Sequence, residues 1–250
     1  MPTRLDHLVI LVRDLERAIE DYGRLGFRVT PGGEHADGLT CNALVPLRDG
    51  VYLELVAFVD PEGDRDNVWG WRGFLPGEGL IDYCGASEDL QGEAERLRGL
   101  GFGVEDLGAG GRRLPDGEEI RWRSASIRQE GRVMPFLIED VTPRERRVPG
   151  GPAADHPNGA TGVALLEIST PNPGGARRDL AVLAAAPSPT LTLGACEVVS
   201  VEHGGERGAG PSAVVLSTDA AQSAGELDRR LSHGVRVKLT PEAGGRQPGA

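Results

Sequence analysis

The sequence predicts an α+β protein. Its basic unit is a β-α-β-β-β module that occurs twice, the copies pairing into a curved mixed sheet, with a degenerate second half of similar modules. Three observations carry this expectation. Residues 15–29, "LERAIEDYGRLGFRV", align without a gap to residues 90–104, "LQGEAERLRGLGFGV". Each copy is followed by β-rich runs rather than by more helical pattern. A stretch rich in proline, glycine and charge, "TPRERRVPGGPAADHPNGATG", then separates these copies from weaker ones.

The opening "LDHLVILV" reads as a strand. Asp14 can cap a helix directly after it, because its carboxylate can accept from the free N–H groups of a first helical turn. Leu15, Ile19, Tyr22 and Leu25 recur at helical spacing, and Gly26 stops the helix, so a helix is predicted over about 14–25. "FRV" should open a second strand, and "CNALVPL" and "VYLELVAFV" flank the turn "RDG" as a hairpin.

The second copy repeats each signal. Asp89 caps, Leu90, Ala94, Leu97 and Leu100 form the stripe of a helix over about 89–100, and "EIRWRSASI" and "VMPFLIEDV" are strands. Residues 4–59 and 79–141 should therefore superimpose as a double module spanning 4–142. Residues 143–160 read as a linker. In 161–240, "GVALLEIST", "ACEVVSVEH" and "SAVVLST" read as strands, while "ARRDLAVLAAA" and "AGELDRRLSHGV" read as two helices of worn modules. Residues 241–250 read as a flexible tail.

Composition narrows the function classes. A formal charge of −11 over 250 residues argues against nucleic-acid binding, which needs a basic face. The three cysteines are far apart and lack a C-x-x-C pair, which disfavours a disulfide framework or a thiolate zinc site and suits a reducing cytoplasm. No apolar run reaches the length of a membrane span, and the N-terminus lacks a signal-peptide pattern, so a cytoplasmic location without membrane association is expected. "GAGG" at 108–111 reads as a loop without a dinucleotide or P-loop pattern, so no nucleotide cofactor is expected.

The repeated unit, with "DHLVILVRDLERAIEDYGRLGF", resembles the vicinal oxygen chelate superfamily. "RRLPDGEEIRW", "PFLIED" and "DHPNGATG" further resemble its glyoxalase-like domain family. The resemblance implies a sheet curved around a cavity that takes a small-molecule ligand, in a monomer or homodimer. It also implies a divalent-metal site with one ligand on the first and one on the last strand of each module. Those positions match His7 and Glu54 in the first module and Asp82 and Phe136 in the second.

His7, Glu54 and Asp82 are thus the implied metal ligands, for one divalent ion whose identity is open, and Phe136 departs from the pattern. The resemblance implies two alternative functions. One is a metal-assisted lyase, isomerase or dioxygenase for a small oxygenated molecule, with Glu54 as ligand or catalytic base. The other is a binding or resistance protein that uses the same cavity without metal.

Each residue also has a plainer reading. His7 is either an ordinary core histidine or a cavity ligand. Glu54, flanked by leucines, either faces solvent or needs a partner inside. Asp82 either ends a strand or lines the cavity. Trp122 is either sheet packing or a pocket wall, and Phe136 should close the side that lacks a ligand. Arg113 and Arg123 read as surface charges or as groups that neutralise an anionic substrate. His156 reads as a solvated linker residue or as one reaching the cavity mouth. His35, His203 and His233 read as structural or solvent-facing.

Overall fold

The computed structural model describes residues 3–129, 131–184, 190–202 and 208–242. His203 and residues 243–250, most of the expected tail, lie outside them. The first module runs β1 (Arg4–Leu11), α1 (Leu15–Arg24), β2 (Thr30–His35), β3 (Thr40–Pro46) and β4 (Tyr52–Phe58). The second runs β5 (Gly79–Ala86), α2 (Leu90–Gly99), β6 (Gly103–Arg113), β7 (Glu119–Arg128) and β8 (Phe136–Asp140). The two helices begin as their sequences dictate. Asp14 accepts from the Arg17 N–H at 3.0 Å, and Asp89 accepts from the Gly92 N–H at 2.9 Å. Gly26 and Gly101 come after the helices with φ of +86° and +92°.

The eight strands close into a barrel of order β1-β4-β3-β2-β6-β7-β8-β5. Each module contributes the same internal order, and β1 and β5 meet antiparallel at the seam. The seam register pairs His7 with Cys84 and Val9 with Asp82, a symmetric pair of pairs under the 75-residue repeat. The parallel pairs Val9–Glu54 and Cys84–Phe136 are likewise equivalent. Strand by strand, His7 corresponds to Asp82 and Glu54 to Phe136.

Alternation sorts the side chains into two cores. Leu5, Leu8, Ile10, Leu53, Leu55 and Tyr83 point outward into a large core shared with α1, α2 and the second sheet. Val9, Leu11, Val56, Ile81, Cys84, Phe136 and Ile138 point inward, where they meet Trp71 and Leu75 from the 59–78 connection. The inner group is continuous with the candidate site.

A short α3 (Arg144–Arg147) leads to a second sheet. It comprises β9 (Ala160–Thr170), β10 (Thr192–Leu193), β11 (Cys196–Glu202), β12 (Gly210–Thr218), β13 (Gly225–Glu226) and β14 (Arg236–Pro241), in the order β10-β11-β9-β12-β14-β13. Its third module has a helix, α4 (Pro173–Ala181), capped by Asn172 on the Gly175 N–H at 3.0 Å.

The second helix expected in this half, over "AGELDRRLSHGV", does not form. Leu227 and Leu231 supply a single turn of apolar spacing. The Leu227 N–H instead bonds to Val237 O, and Asp228 draws the chain into a local turn through the Arg230 N–H. His233 then sits in the left-handed region at φ +53°. Among the described residues no helix is long and apolar enough to cross a membrane.

Candidate functional site

The site begins with an irregularity in β1. Between Leu5 and His7 the register with β5 shifts by one, so Asp6 is the extra residue of a bulge. The consequence is that consecutive residues, Asp6 and His7, both turn to the barrel interior, where both are buried. His7 Nδ1 donates to Asp6 Oδ1 at 2.7 Å. Asp6 is held well below the usual carboxylate range: burial pushes it up, but the charge of Arg147 and the hydrogen bond and charge of His7 outweigh this. An ionised Asp6 only accepts, so the proton on Nδ1 is fixed and His7 Nε2 is left to face the cavity.

Facing Nε2 at 3.3 Å is Glu54 Oε2, on the neighbouring parallel strand. Burial raises the Glu54 pKa, but His35, His7 and Asn42 together bring it down to about 2. Asn42 Nδ2 donates to Oε1 at 2.5 Å, and His35 Nε2 lies 3.6 Å from the same oxygen. His35 Nδ1 is engaged with Thr40 Oγ1 at 2.8 Å. Two imidazoles thus flank one buried carboxylate, and each is oriented through its other nitrogen.

Asp6 is anchored from behind. Arg147 Nη1 donates to Asp6 Oδ1 at 3.0 Å and to the Tyr52 hydroxyl at 2.8 Å, Arg147 also binds Asp140, and Arg144 pairs with Asp6. The segment expected as a linker therefore supplies, through α3, two arginines that close one end of the barrel. Tyr52 in turn stacks on His7, with ring centroids 4.7 Å apart.

The cavity in front of these groups has a volume of about 170 Å³. Its walls include His7, His35, Glu54, Trp69, Trp71, Trp122 and Phe136. Phe136 stands 4.3 Å from Trp69 and 5.4 Å from His7, centroid to centroid, so it occupies the side where a second carboxylate is missing. Trp122 packs edge-on to His35 and lies against Gly110, where a Cβ would approach its Nε1 to 2.3 Å. "GAGG" is thus part of β6 rather than a loop, and Gly110 makes room for the indole.

Asp82 faces inward as its equivalence to His7 requires, yet it does not line the cavity. Its Oδ2 accepts from Trp71 Nε1 at 3.0 Å and pairs with Arg132, and its Oδ1 accepts from the Tyr83 N–H at 2.9 Å. The carboxylate is fully engaged, and as a ligand position it is closed.

Two other expected residues stay outside the cavity. His156 is buried, but its Nδ1 accepts from the Arg28 N–H at 3.0 Å and its Nε2 donates to Pro46 O at 2.8 Å, so it pins the segment before β2 to the end of β3. Arg123 alternates with Trp122 on β7 and points outward, 3.5 Å from Asp106. Arg113 is likewise exposed, beside Glu119.

The sequence reading missed His35, Asn42, Asp6 and Arg112. Asn42 was findable, since it shares strand parity with Leu44, whose cross-strand partner is Glu54. His35 carries little signal, because "PGGEHADG" looks like a turn.

One further trio, Asp6, His7 and Cys84, presents donor atoms within 4.8 Å of one another. Asp6 there is already neutralised by two arginines, and burial holds the Cys84 thiol well above its usual value. A thiol that resists ionisation is a poor ligand. The donors that suit a cation are His7 Nε2 and Glu54, with His35 the nearest further one. His7 Nε2 and Glu54 Oε2 are about as far apart as neighbouring donors around a cation with bonds of about 2.1 Å.

A family model described as "Glyoxalase-like domain" matches residues 5–184. No curated protein sequence matches the chain. Among solved structures, a hypothetical protein from Staphylococcus aureus is similar over 96% of this chain and 99% of its own, with 13% identity and a TM-score of 0.74. A variant of 4-hydroxymandelate synthase from Streptomyces coelicolor is similar over 90% of this chain and 76% of its own (11% identity, TM-score 0.57). A xylose isomerase-like TIM barrel/4-hydroxyphenylpyruvate dioxygenase fusion protein is similar over 91% of this chain and 40% of its own (14% identity, TM-score 0.54). At these identities the likeness is one of fold.

Proposed function

Given that the chain belongs to the glyoxalase-like domain family of the vicinal oxygen chelate superfamily, we propose that its N-terminal barrel is a divalent-metal-assisted enzyme site for a small oxygenated molecule. A lyase, isomerase or dioxygenase fits this description. One contact carries the reading. His7 Nδ1 is committed to Asp6, so Nε2 is the nitrogen that faces an ionised Glu54 oxygen at 3.3 Å. Two electron-rich atoms at that separation repel unless a proton or a metal cation lies between them.

In this reading His7 and Glu54 hold the cation, and His35 is the next available donor. A bound divalent ion supplies Lewis acidity toward substrate oxygens. The remaining residues orient and exclude. Asp6 fixes the His7 tautomer, Asn42 fixes the Glu54 rotamer, and Trp69, Trp71, Trp122 and Phe136 keep water from an apolar substrate body. Glu54 is held by Asn42 through one oxygen and presents the other to His7 Nε2, so its role in this reading is that of a ligand rather than a base.

A second reading, a binding protein without metal, draws support from a different observation. Asn42 already satisfies one Glu54 oxygen, and the second module offers only Phe136 and a sealed Asp82. Elemental analysis separates the two. Protein stripped with chelator and then exposed in turn to Mn, Fe, Ni and Zn salts should retain a stoichiometric amount of one metal, and His7→Ala and Glu54→Gln should not. If the wild-type protein takes up none of them yet binds small molecules, the site is a binding cavity.

A further inference from the structure

We propose that Arg112 makes this cavity selective for a small monocarboxylate carrying a flat apolar body. The inference deepens the small-molecule reading above and rests on it, but it does not depend on metal.

Arg112 is buried, lines the cavity and lies beside His35 in the β2–β6 register. Three other guanidiniums at the site each have a carboxylate. Arg147 has Asp6 and Asp140, Arg144 has Asp6, and Arg132 has Asp82. Arg112 has none within ion-pair distance among the described residues. Its Nη1 donates to Asn42 Oδ1 at 3.1 Å and its Nη2 to Arg147 O at 2.9 Å, both neutral oxygens. Its Nε–H, shut off from solvent, has no partner among the described residues.

A buried cation left with neutral partners is costly, and an anion in the adjoining cavity relieves that cost. Burial pushes the Arg112 pKa down, and the Glu54 carboxylate, held off behind Asn42, only partly counters it. Guanidinium recognises a carboxylate through parallel N–H···O bonds. The aromatic walls suit a flat body, and a cavity of about 170 Å³ suits a single ring.

Benzoate and its neutral isostere benzamide test this directly. Binding is followed by quenching of tryptophan fluorescence, since three tryptophans stand in the wall, with both chelator-stripped and metal-loaded protein. The expected result is a preference for benzoate of about tenfold or more in both forms, as for a charge-assisted hydrogen bond. Arg112→Gln should abolish the preference, and Arg112→Lys should restore part of it.

A purely structural Arg112, acting through Asn42, would lower affinity for both probes equally and leave their ratio unchanged. That outcome overturns the proposal, as does a wild-type protein that binds the amide as well as the acid. The wild-type comparison stands even if Arg112→Gln does not fold. A preference confined to the metal-loaded form would place recognition on the ion and also overturn it. Loss of metal retention with the preference intact would instead remove the metal reading alone.

Discussion

His7 and Glu54 reach one another from adjacent parallel strands, Nε2 to Oε2 at 3.3 Å, because the β1–β4 register sets Val9 opposite Glu54 and His7 opposite Tyr52. Both side chains are therefore on the inner face, two residues apart along the barrel wall. The contact is secured at both ends, by Asp6 behind the imidazole and by Asn42 behind the carboxylate. Its electrostatics make the site sensitive to acid.

The pKa of Glu54 falls from 4.5 to about 2 on folding. A depressed carboxyl contributes stability that is fully present above its unfolded value and is lost as pH falls through its folded value. The Glu54 contribution should thus decline between pH 4.5 and about 2, by on the order of 3 kcal/mol in all. Urea unfolding across that window, on wild type and Glu54→Gln, checks it. The variant should show a shallower acid limb, and parallel limbs would remove Glu54 from the account.

Asp6→Asn tests the anchoring network. The substitution keeps the shape but removes the charge shared by Arg144, Arg147 and His7. Breaking one partner of a buried network leaves uncompensated charge, a loss of about 3 kcal/mol or more. Chemical unfolding at neutral pH should show it. A loss below about 1 kcal/mol would mean that Asp140 alone suffices for both arginines.

The sequence carried the barrel more fully than the site. The 75-residue repeat, the caps at Asp14 and Asp89 and the glycine stops are local signals, and they survive in the structure because local geometry produces them. Strand parity likewise brought His7 and Glu54 to one cavity. The remainder of the site depends on non-local facts. The bulge that turns Asp6 inward exists only in the β1–β5 pairing. Of the arginines on β6 and β7, Arg112 lines the cavity while Arg113 and Arg123 do not, which depends on how β6 sits against β2 and β7 in the closed barrel. Symmetry put Asp82 on the inner face, but not in the cavity wall as expected, because Arg132 and Trp71, which engage it, come from connections that the repeat does not encode. The missing helix before β14 is the opposite case: an echo of the repeat too short in apolar residues to fold as one.

Gly110→Ala should change the cavity more than the fold. The added methyl would meet the Trp122 indole at 2.3 Å, and the ring must move, with the cavity the open space beside it. Affinity for any aromatic ligand should fall about tenfold as the displaced indole takes up cavity space, and the tryptophan emission should shift. Unchanged binding would show that Trp122 is not a wall that the ligand touches.

The Asp82–Arg132 pair yields the last prediction, and its sign is opposite to that of Glu54. Burial raises the Asp82 pKa above 3.8, only partly countered by the Arg132 charge and the Trp71 hydrogen bond. A carboxyl raised on folding is most favourable to the folded state below its unfolded value, and that advantage is lost as pH rises through its folded value. Arg132→Met removes the main opposing charge, so the pKa should climb further and the variant should be destabilised at neutral pH by about 3 kcal/mol. The defect should shrink on acidification, as Asp82 takes up a proton in the folded state. Adding Asp82→Asn to Arg132→Met should recover most of the loss, because the amide still accepts from Trp71 without a buried charge. Unfolding free energies of the two variants at pH 4 and pH 7 decide the matter. A defect that is equal at both pH values, or that persists in the double variant, would mean that Arg132 matters through its contacts with Phe74 and the Trp69 carbonyl rather than through its charge.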